Sequence, residues 1–197
     1  GMDMSRAPAK ARADLLAYVP QSHAPVFPFA VLDVVVMGRA GRWQMWTGPS
    51  PSDWNAAKEA LEIIGMTEFS TRPYSQLSGG ERQMVMIARA IAQGANFIAL
   101  DEPAASLDFG NQMRMLNMLR DLAARGKGII MASHNPEHAM RCASHVVTIT
   151  DKRLECLGEP IAALTSERLH EIYQIRFLVS SVTDQYARNI PVCVPEY

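Results

Sequence analysis

The residues best suited to chemistry fall in two short runs. The first is Leu77-Ser78-Gly79-Gly80-Glu81-Arg82-Gln83. Ser78 and Glu81 have the spacing of a capping box, in which a serine caps a helix and the acid three residues on reaches back to it. Gly79 and Gly80 leave backbone N–H groups bare at the positive end of that helix, a terminus suited to an anion and to phosphate above all. The same pattern also describes an ordinary capped helix with a glycine-rich entry. The second run is Phe97-Ile98-Ala99-Leu100-Asp101-Glu102-Pro103. Two carboxylates at the C-terminal end of a buried strand lie where open α/β sheets bind ligands. Asp101 could hold Mg²⁺ through water, since that ion keeps much of its hydration shell. Glu102 could polarise an attacking water as general base. The alternative is a strand that ends in a solvated acidic turn before proline.

These runs need elements to position them, and the flanking sequence supplies such elements. Phe97 to Leu100 is wholly apolar, as expected of a parallel strand covered on both faces. A helix is expected over 109–125, with Met115, Leu119 and Leu122 on one face and Gly126 ending it. Gly128 to Ser133 reads as a second buried strand. Asn135-Pro136 then reads as an N-cap with proline at the first helical position. Val146 to Thr150 reads as a third strand that turns at 151–153 into a hairpin with Leu154 to Leu157. This βαβαβ order predicts a mostly parallel α/β core.

Residues 31–93 read differently, with helical stretches around 30–37, 52–64 and 81–93 and no convincing strand. A helical insertion in an α/β domain is the simplest account, with 38–51, which includes Trp43 and Trp46, as a loop. Beyond Gly158 a helix is expected near 166–173, with short strands near 176–182 and 191–194, as a small cap on the sheet.

The bulk composition narrows the function. The 19 basic and 20 acidic side chains nearly cancel, so there is no electrostatic footprint for nucleic acid. Cys142, Cys156 and Cys193 lie far apart without metal-ligand spacing and read as reduced thiols of a cytosolic protein. No apolar run is long enough to span a bilayer. A membrane role is expected to come through a partner.

With these residues in view, the chain resembles the ABC ATPase family. Leu77 to Gln83 is similar to its LSGGQ signature, with Glu81 at the position of the signature's glutamine, and Phe97 to Pro103 is similar to its Walker B motif. Ser106-Leu107-Asp108 resembles the D-loop, His134 the switch histidine, and Gln21, after Ala17-Tyr18-Val19-Pro20, the Q-loop glutamine. Two departures are Asn135, where many relatives carry Asp, and Ala104, where Thr is usual. The resemblance implies a P-loop NTPase (RecA-like) α/β core, incomplete here, with an inserted α-helical subdomain. It divides the chain into a Q-loop strand and Q-loop (1–30), a helical subdomain with the signature (31–93), a Walker B, D-loop and H-loop core (94–157) and a C-terminal cap (158–197).

The resemblance also implies roles. ATP and Mg²⁺ are the expected cofactors, with Asp101 and Gln21 at the metal and Glu102, His134 and Gln21 catalytic. Ser78, Gly79, Gly80, Glu81 and Asp108 would contact nucleotide across a dimer of ATPase subunits. A transmembrane permease is the other expected partner. Its coupling helix would lie near Val26-Phe27-Pro28-Phe29, a run that reads equally well as local core. The protein is expected in the cytoplasm, peripheral to the inner face of the plasma membrane. Leu164-Thr165, Ile172-Tyr173 and Pro191 to Pro195 look most like importers of iron–siderophore, haem, cobalamin or molybdate type. An ABC ATPase of DNA repair or chromosome structure is disfavoured, because no sustained heptads appear.

One family element is missing from these residues. No G-x-x-x-x-G-K-[ST] occurs, and Gly126-Lys127-Gly128, the sole Gly-Lys pair, lacks both the upstream glycine and the following Ser or Thr. P-loop amides and lysine supply most of the positive field around the β- and γ-phosphates. The expectation is therefore an N-terminally shortened family member that does not hydrolyse ATP alone. The alternative is a non-catalytic module whose signature loop completes a partner's site. Without the P-loop strand, the sheet is expected to expose an unpaired edge, offset by strand exchange, dimerisation or rearrangement.

Overall fold

The computed structural model describes residues 3–4, 6–21, 28–43, 48–150, 152–187 and 189–196, with Cys156 described by its backbone alone. Val26, Phe27 and Trp46, singled out above, lie outside the described residues. The chain divides into two compact units, Gly1–Ala132 and Ser133–Tyr197.

The first unit is built on three parallel strands, β1 (Leu16–Val19), β2 (Phe97–Asp101) and β3 (Gly128–Ala132), in the order β1-β2-β3. Val19 lies opposite Leu100, and Asp101 opposite Ala132. Among the described residues β3 pairs with β2 alone, and Ile130 on it is 57% exposed. Gly128 faces Phe97 across the ladder, and a β-carbon there would run into the phenyl ring. Helix α1 (Ala9–Leu15), which the sequence reading did not anticipate, leads directly into β1.

Three further helices form the insertion: α2 (Val31–Val36), α3 (Pro51–Ile63) and α4 (Gly79–Gln93). They enclose a core of Val31, Val35, Ala57, Leu61, Val85 and Ala88. Each fully buried valine or leucine there contributes about 1.5–3 kcal/mol. Ser50 caps α3 with Asp53 reaching back to it, and Pro51 occupies the first turn, where a missing N–H costs nothing. The buried Asp53 also accepts from Arg39 Nε at 2.9 Å. Arg39 belongs to a 3₁₀ stretch, 37–42, that forms in the first part of the segment expected to be loop. Gln93, at the end of α4, donates to Ala13 O (2.7 Å) and Leu16 O (3.1 Å) and so ties the insertion to the start of β1. Gly94, at a φ of 79°, then ends α4 in the left-handed region that glycine adopts without strain.

Helix α5 (Phe109–Ala124) crosses from β2 to β3 with Met115, Leu116, Leu119 and Leu122 buried. It ends in a Schellman motif: Gly126 N–H donates to Ala123 O and Lys127 N–H to Leu122 O, with Gly126 at a φ of 90°.

The second unit holds α6 (Pro136–Cys142), the antiparallel pair β4 (Val146–Thr150) and β5 (Arg153–Gly158), α7 (Pro160–Ala163), α8 (Ser166–Tyr173), and the antiparallel pair β6 (Arg176–Thr183) and β7 (Asn189–Glu196). Strand β4, expected as a third strand of the parallel core, hydrogen-bonds only to β5 among the described strands. Its alternation of Val146, Thr148 and Thr150 with exposed Val147 and Ile149 suits a hairpin arm. Met140, Val146, Leu164, Leu169 and Cys193 make the core of this unit.

Candidate functional site

The glycine-rich run forms the N-terminus of α4 as its spacing predicts. Ser78 Oγ accepts from Glu81 N–H at 3.2 Å, and Glu81 Oε2 accepts from Ser78 N–H at 2.7 Å. The backbone N–H of Ser78, and then its hydroxyl, hold the Glu81 carboxyl below the usual range. The box leaves the amides of Gly79 and Gly80 directed out of the first turn, where the helix dipole favours negative charge. Ser78 and Gly79 are exposed.

Beneath this loop lies a segment distant in sequence. A β-carbon on Gly80 would sit 3.0 Å from Leu107 Cδ2 and 3.2 Å from Ser106 O, and one on Gly79 would sit 3.7 Å from Ser106 Cβ. The signature-like loop therefore rests on Ser106 and Leu107, and glycine at position 80 permits the close approach. Asp108 caps α5: its Oδ1 accepts from Asn111 N–H at 2.9 Å and its Oδ2 from Asn111 Nδ2 at 2.6 Å. Those bonds, the backbone one foremost, lower its pKa and keep it ionised.

Asp101 and Glu102 occupy the C-terminal end of β2. Glu102 N–H donates to Ala132 O (3.1 Å), extending the ladder by one step, and Ala105 N–H donates to Glu102 O (3.1 Å), closing a turn. Glu102 has a φ of 46°, a left-handed conformation that costs a non-glycine residue about 1–3 kcal/mol. That kink breaks the strict side-to-side alternation of the strand at the second carboxylate. Gln21 follows β1 by two residues, so the parallel register brings it to the same end of the sheet as Asp101 and Glu102.

Tyr18, which the sequence reading passed over, donates its phenol to Asp101 Oδ2 at 3.3 Å. Desolvation first, then the Asp101 charge and this bond, raise the tyrosine pKa. The signal for it was positional: alternation on β1 buries Ala17 and Val19 and turns Tyr18 outward.

His134 belongs to the second unit, between β3 and α6, with an exposed side chain. Tyr173 Oη donates to its carbonyl at 2.8 Å. Asn135 caps α6, its Oδ1 accepting from Glu137 N–H at 2.9 Å.

The donor set suits a hard cation with few protein ligands. Among the described residues no group of three or more His, Cys, Asp or Glu gathers to hold a metal. An ion at Asp101 would draw most of its oxygens from water and phosphate, which is the habit of Mg²⁺.

An anion-directed helix terminus set on a second loop, in a chain whose central strand ends in paired carboxylates, invites comparison with known proteins. The family model described as ABC transporter matches residues 1–105. The chain belongs to the ABC transporter family. It is 41% identical over 159 residues to an uncharacterized ABC transporter ATP-binding protein of Haemophilus influenzae, covering 81% of this chain and 60% of that protein. It is 34% identical to the molybdate import ATP-binding protein MolC of the same organism, covering 81% and 63%. The chain thus spans about three-fifths of the length of these curated relatives. Among solved structures it resembles a metal-chelate type ABC transporter in an inward-facing conformation, with TM-score 0.86 and 31% identity over 93% of this chain and 73% of that one. The dimeric structure of a bacterial ABC transporter cassette matches at TM-score 0.64 and 26% identity, covering 75% and 65%. The fold is accordingly the P-loop NTPase α/β fold with its helical insertion, and its relatives are ATP-binding transport proteins. No helix among the described residues is long and apolar enough to cross a membrane.

Proposed function

We propose that the chain is the signature-bearing part of the ATP-binding subunit of an importer for metal chelates or oxyanions. The observation that carries this is the seating of Gly79 and Gly80 on Ser106 and Leu107. It makes one surface of the two loops that the family uses across its dimer interface. Ser78, Gly79, Gly80 and Glu81 would hold the γ-phosphate of ATP on a second ATPase subunit, with Asp108 beside them. Asp101 and Gln21 would hold Mg²⁺, which when bound neutralises charge on the phosphate oxygens. Glu102 would orient and deprotonate the attacking water, and His134 would contact the γ-phosphate. The divisions 1–30, 31–93, 94–157 and 158–197 are proposed as Q-loop, signature, Walker B and C-terminal segments. The subunit would work at the inner face of the plasma membrane, bound to a transmembrane permease.

A second reading is favoured by one specific observation. The 197 residues hold no G-x-x-x-x-G-K-[ST], while the signature and D-loop surface is intact. On these residues alone the chain would complete a partner's nucleotide site and hydrolyse nothing itself. The test has two arms. Purified alone, the chain should show no ATP turnover; activity that survives repurification and is lost in Glu102→Gln sinks that expectation. Mixed with a P-loop-containing relative whose own signature serine is replaced, the chain should restore turnover. Ser78→Arg in the chain should abolish the restoration. No restoration counts against the signature reading.

A further inference from the structure

His138 is 5% exposed, lies in the first turn of α6, and has been given no part in the proposed chemistry. Its ring touches both neighbours of His134 in sequence. Nδ1 lies 3.2 Å from Ser133 Oγ, and Nε2 lies 3.3 Å from Asn135 Nδ2. Ser133 Oγ also accepts from Asn135 N–H at 3.1 Å.

The hydrogen positions follow from the donors whose direction is fixed. Asn135 Oδ1 accepts from the backbone N–H of Glu137, so the amide's NH₂ end must face the histidine. Nε2 must then accept, which places the ring proton on Nδ1. Nδ1–H therefore donates to Ser133 Oγ. A proton on Nε2 would meet the Asn135 NH₂ head on, and turning that amide over would set its NH₂ against Glu137 N–H. One protonation state satisfies these contacts together. The pairing of Ser133 with His138 is not a nucleophile with its base, because a ring nitrogen that donates to the serine cannot take its proton.

We propose that His138 is a positioning residue for His134. Its neutral imidazole, protonated at Nδ1, brackets Ser133 and Asn135 and so fixes the peptide from which the exposed His134 ring projects. Tyr173 Oη, on the carbonyl of His134, holds the same peptide from α8. Preorganisation of this kind matters because a group that must meet phosphate in one geometry loses effect when its backbone wanders. The functional consequence rests on the proposed role of His134 at the γ-phosphate; the bracket itself does not.

The test uses ¹H–¹⁵N spectra of the full chain uniformly labelled with ¹⁵N, long-range for the imidazole nitrogens and one-bond for the backbone amides, with His134→Gln and His138→Phe serving to assign the two rings. His138 should show the Nδ1–H pattern at neutral pH. In His138→Phe the His134 ring signals should move, and exchange of the Asn135 and Glu137 amides should quicken about tenfold, the loss of one to two hydrogen bonds. His138→Gln, which can still accept from Asn135, should stay closer to the parent. An Nε2–H pattern for His138 overturns the proposal without any variant having to fold. So do His134 and Asn135 signals that are unchanged in a folded His138→Phe. No nucleotide enters this measurement, so its failure is separable from failure of the phosphate-contact reading.

Discussion

Gly79 and Gly80 are neighbours of the same type in the first turn of α4, yet alanine should act on them in opposite directions. Replacing glycine by alanine in a helix gains about 0.5–1 kcal/mol, chiefly by restricting the unfolded chain. At Gly79 the new methyl would lie 3.7 Å from Ser106 Cβ, an ordinary contact, so the full gain should appear. At Gly80 it would lie 3.0 Å from Leu107 Cδ2 and 3.2 Å from the Ser106 carbonyl. Leu107 is buried and the second neighbour is backbone, so neither yields cheaply. Overpacking of this kind costs about 1–3 kcal/mol. The helix gain is common to both variants, so the difference between them isolates the overpacking. With an m-value of about 2.5 kcal/mol/M, the urea midpoint of Gly80→Ala should lie about 0.4–1.2 M below that of Gly79→Ala. Trp43 and Trp54 lie within the first unit and residues 133–197 hold no tryptophan, so fluorescence reports the unfolding of the first unit separately from the second. Equal midpoints, or a higher one for Gly80→Ala, would refute the packing of Gly80 on Ser106 and Leu107.

Two further outcomes follow from charge. Asp53→Asn should destabilise the helical insertion by about 3 kcal/mol, because it leaves the largely buried Arg39 without its carboxylate. The bonds from Ser50 first, and then from Arg39, depress the Asp53 pKa below 3.8. Its stabilisation should be complete above that value and be lost as pH falls through the lower folded pKa, a slope that acid titration of tryptophan fluorescence should find missing in the variant. Asp101→Asn should lower the Tyr18 phenol pKa toward 10, since the carboxylate's charge and hydrogen bond both help to raise it; absorbance titration of the phenolate, with Tyr18→Phe for assignment, reads this directly.

What the sequence determined by itself is local or repeated at short range. Ser78 with Glu81, and Asn135 with Pro136, act within four residues, so these caps could be read from spacing and are found in place; Asp108, read only as part of a loop, also proves to be a cap. The apolar runs at 97–100 and 128–132 announced strands, and these form and pair in parallel; the expected cover on both faces is partial, with Ile98 and Leu100 buried but Phe97 and Ile130 exposed. The order of the motifs that are present was likewise legible in the sequence. What only the tertiary structure decided depends on register and close approach between distant segments. The contact of Gly80 with Leu107, the Arg39–Asp53 pair and the Tyr18–Asp101 bond join residues that no periodicity relates. Helix α1 escaped notice because it is short, buries no residue of its own and so carries no amphipathic stripe. Strand β4 read as core because a strand's sequence specifies a pleat and an alternation; its neighbour is chosen by packing. The two histidines divide along the same line. His134 could be placed from its position after a strand, whereas the bracket around it required seeing His138 turn back one helical turn onto Ser133 and Asn135.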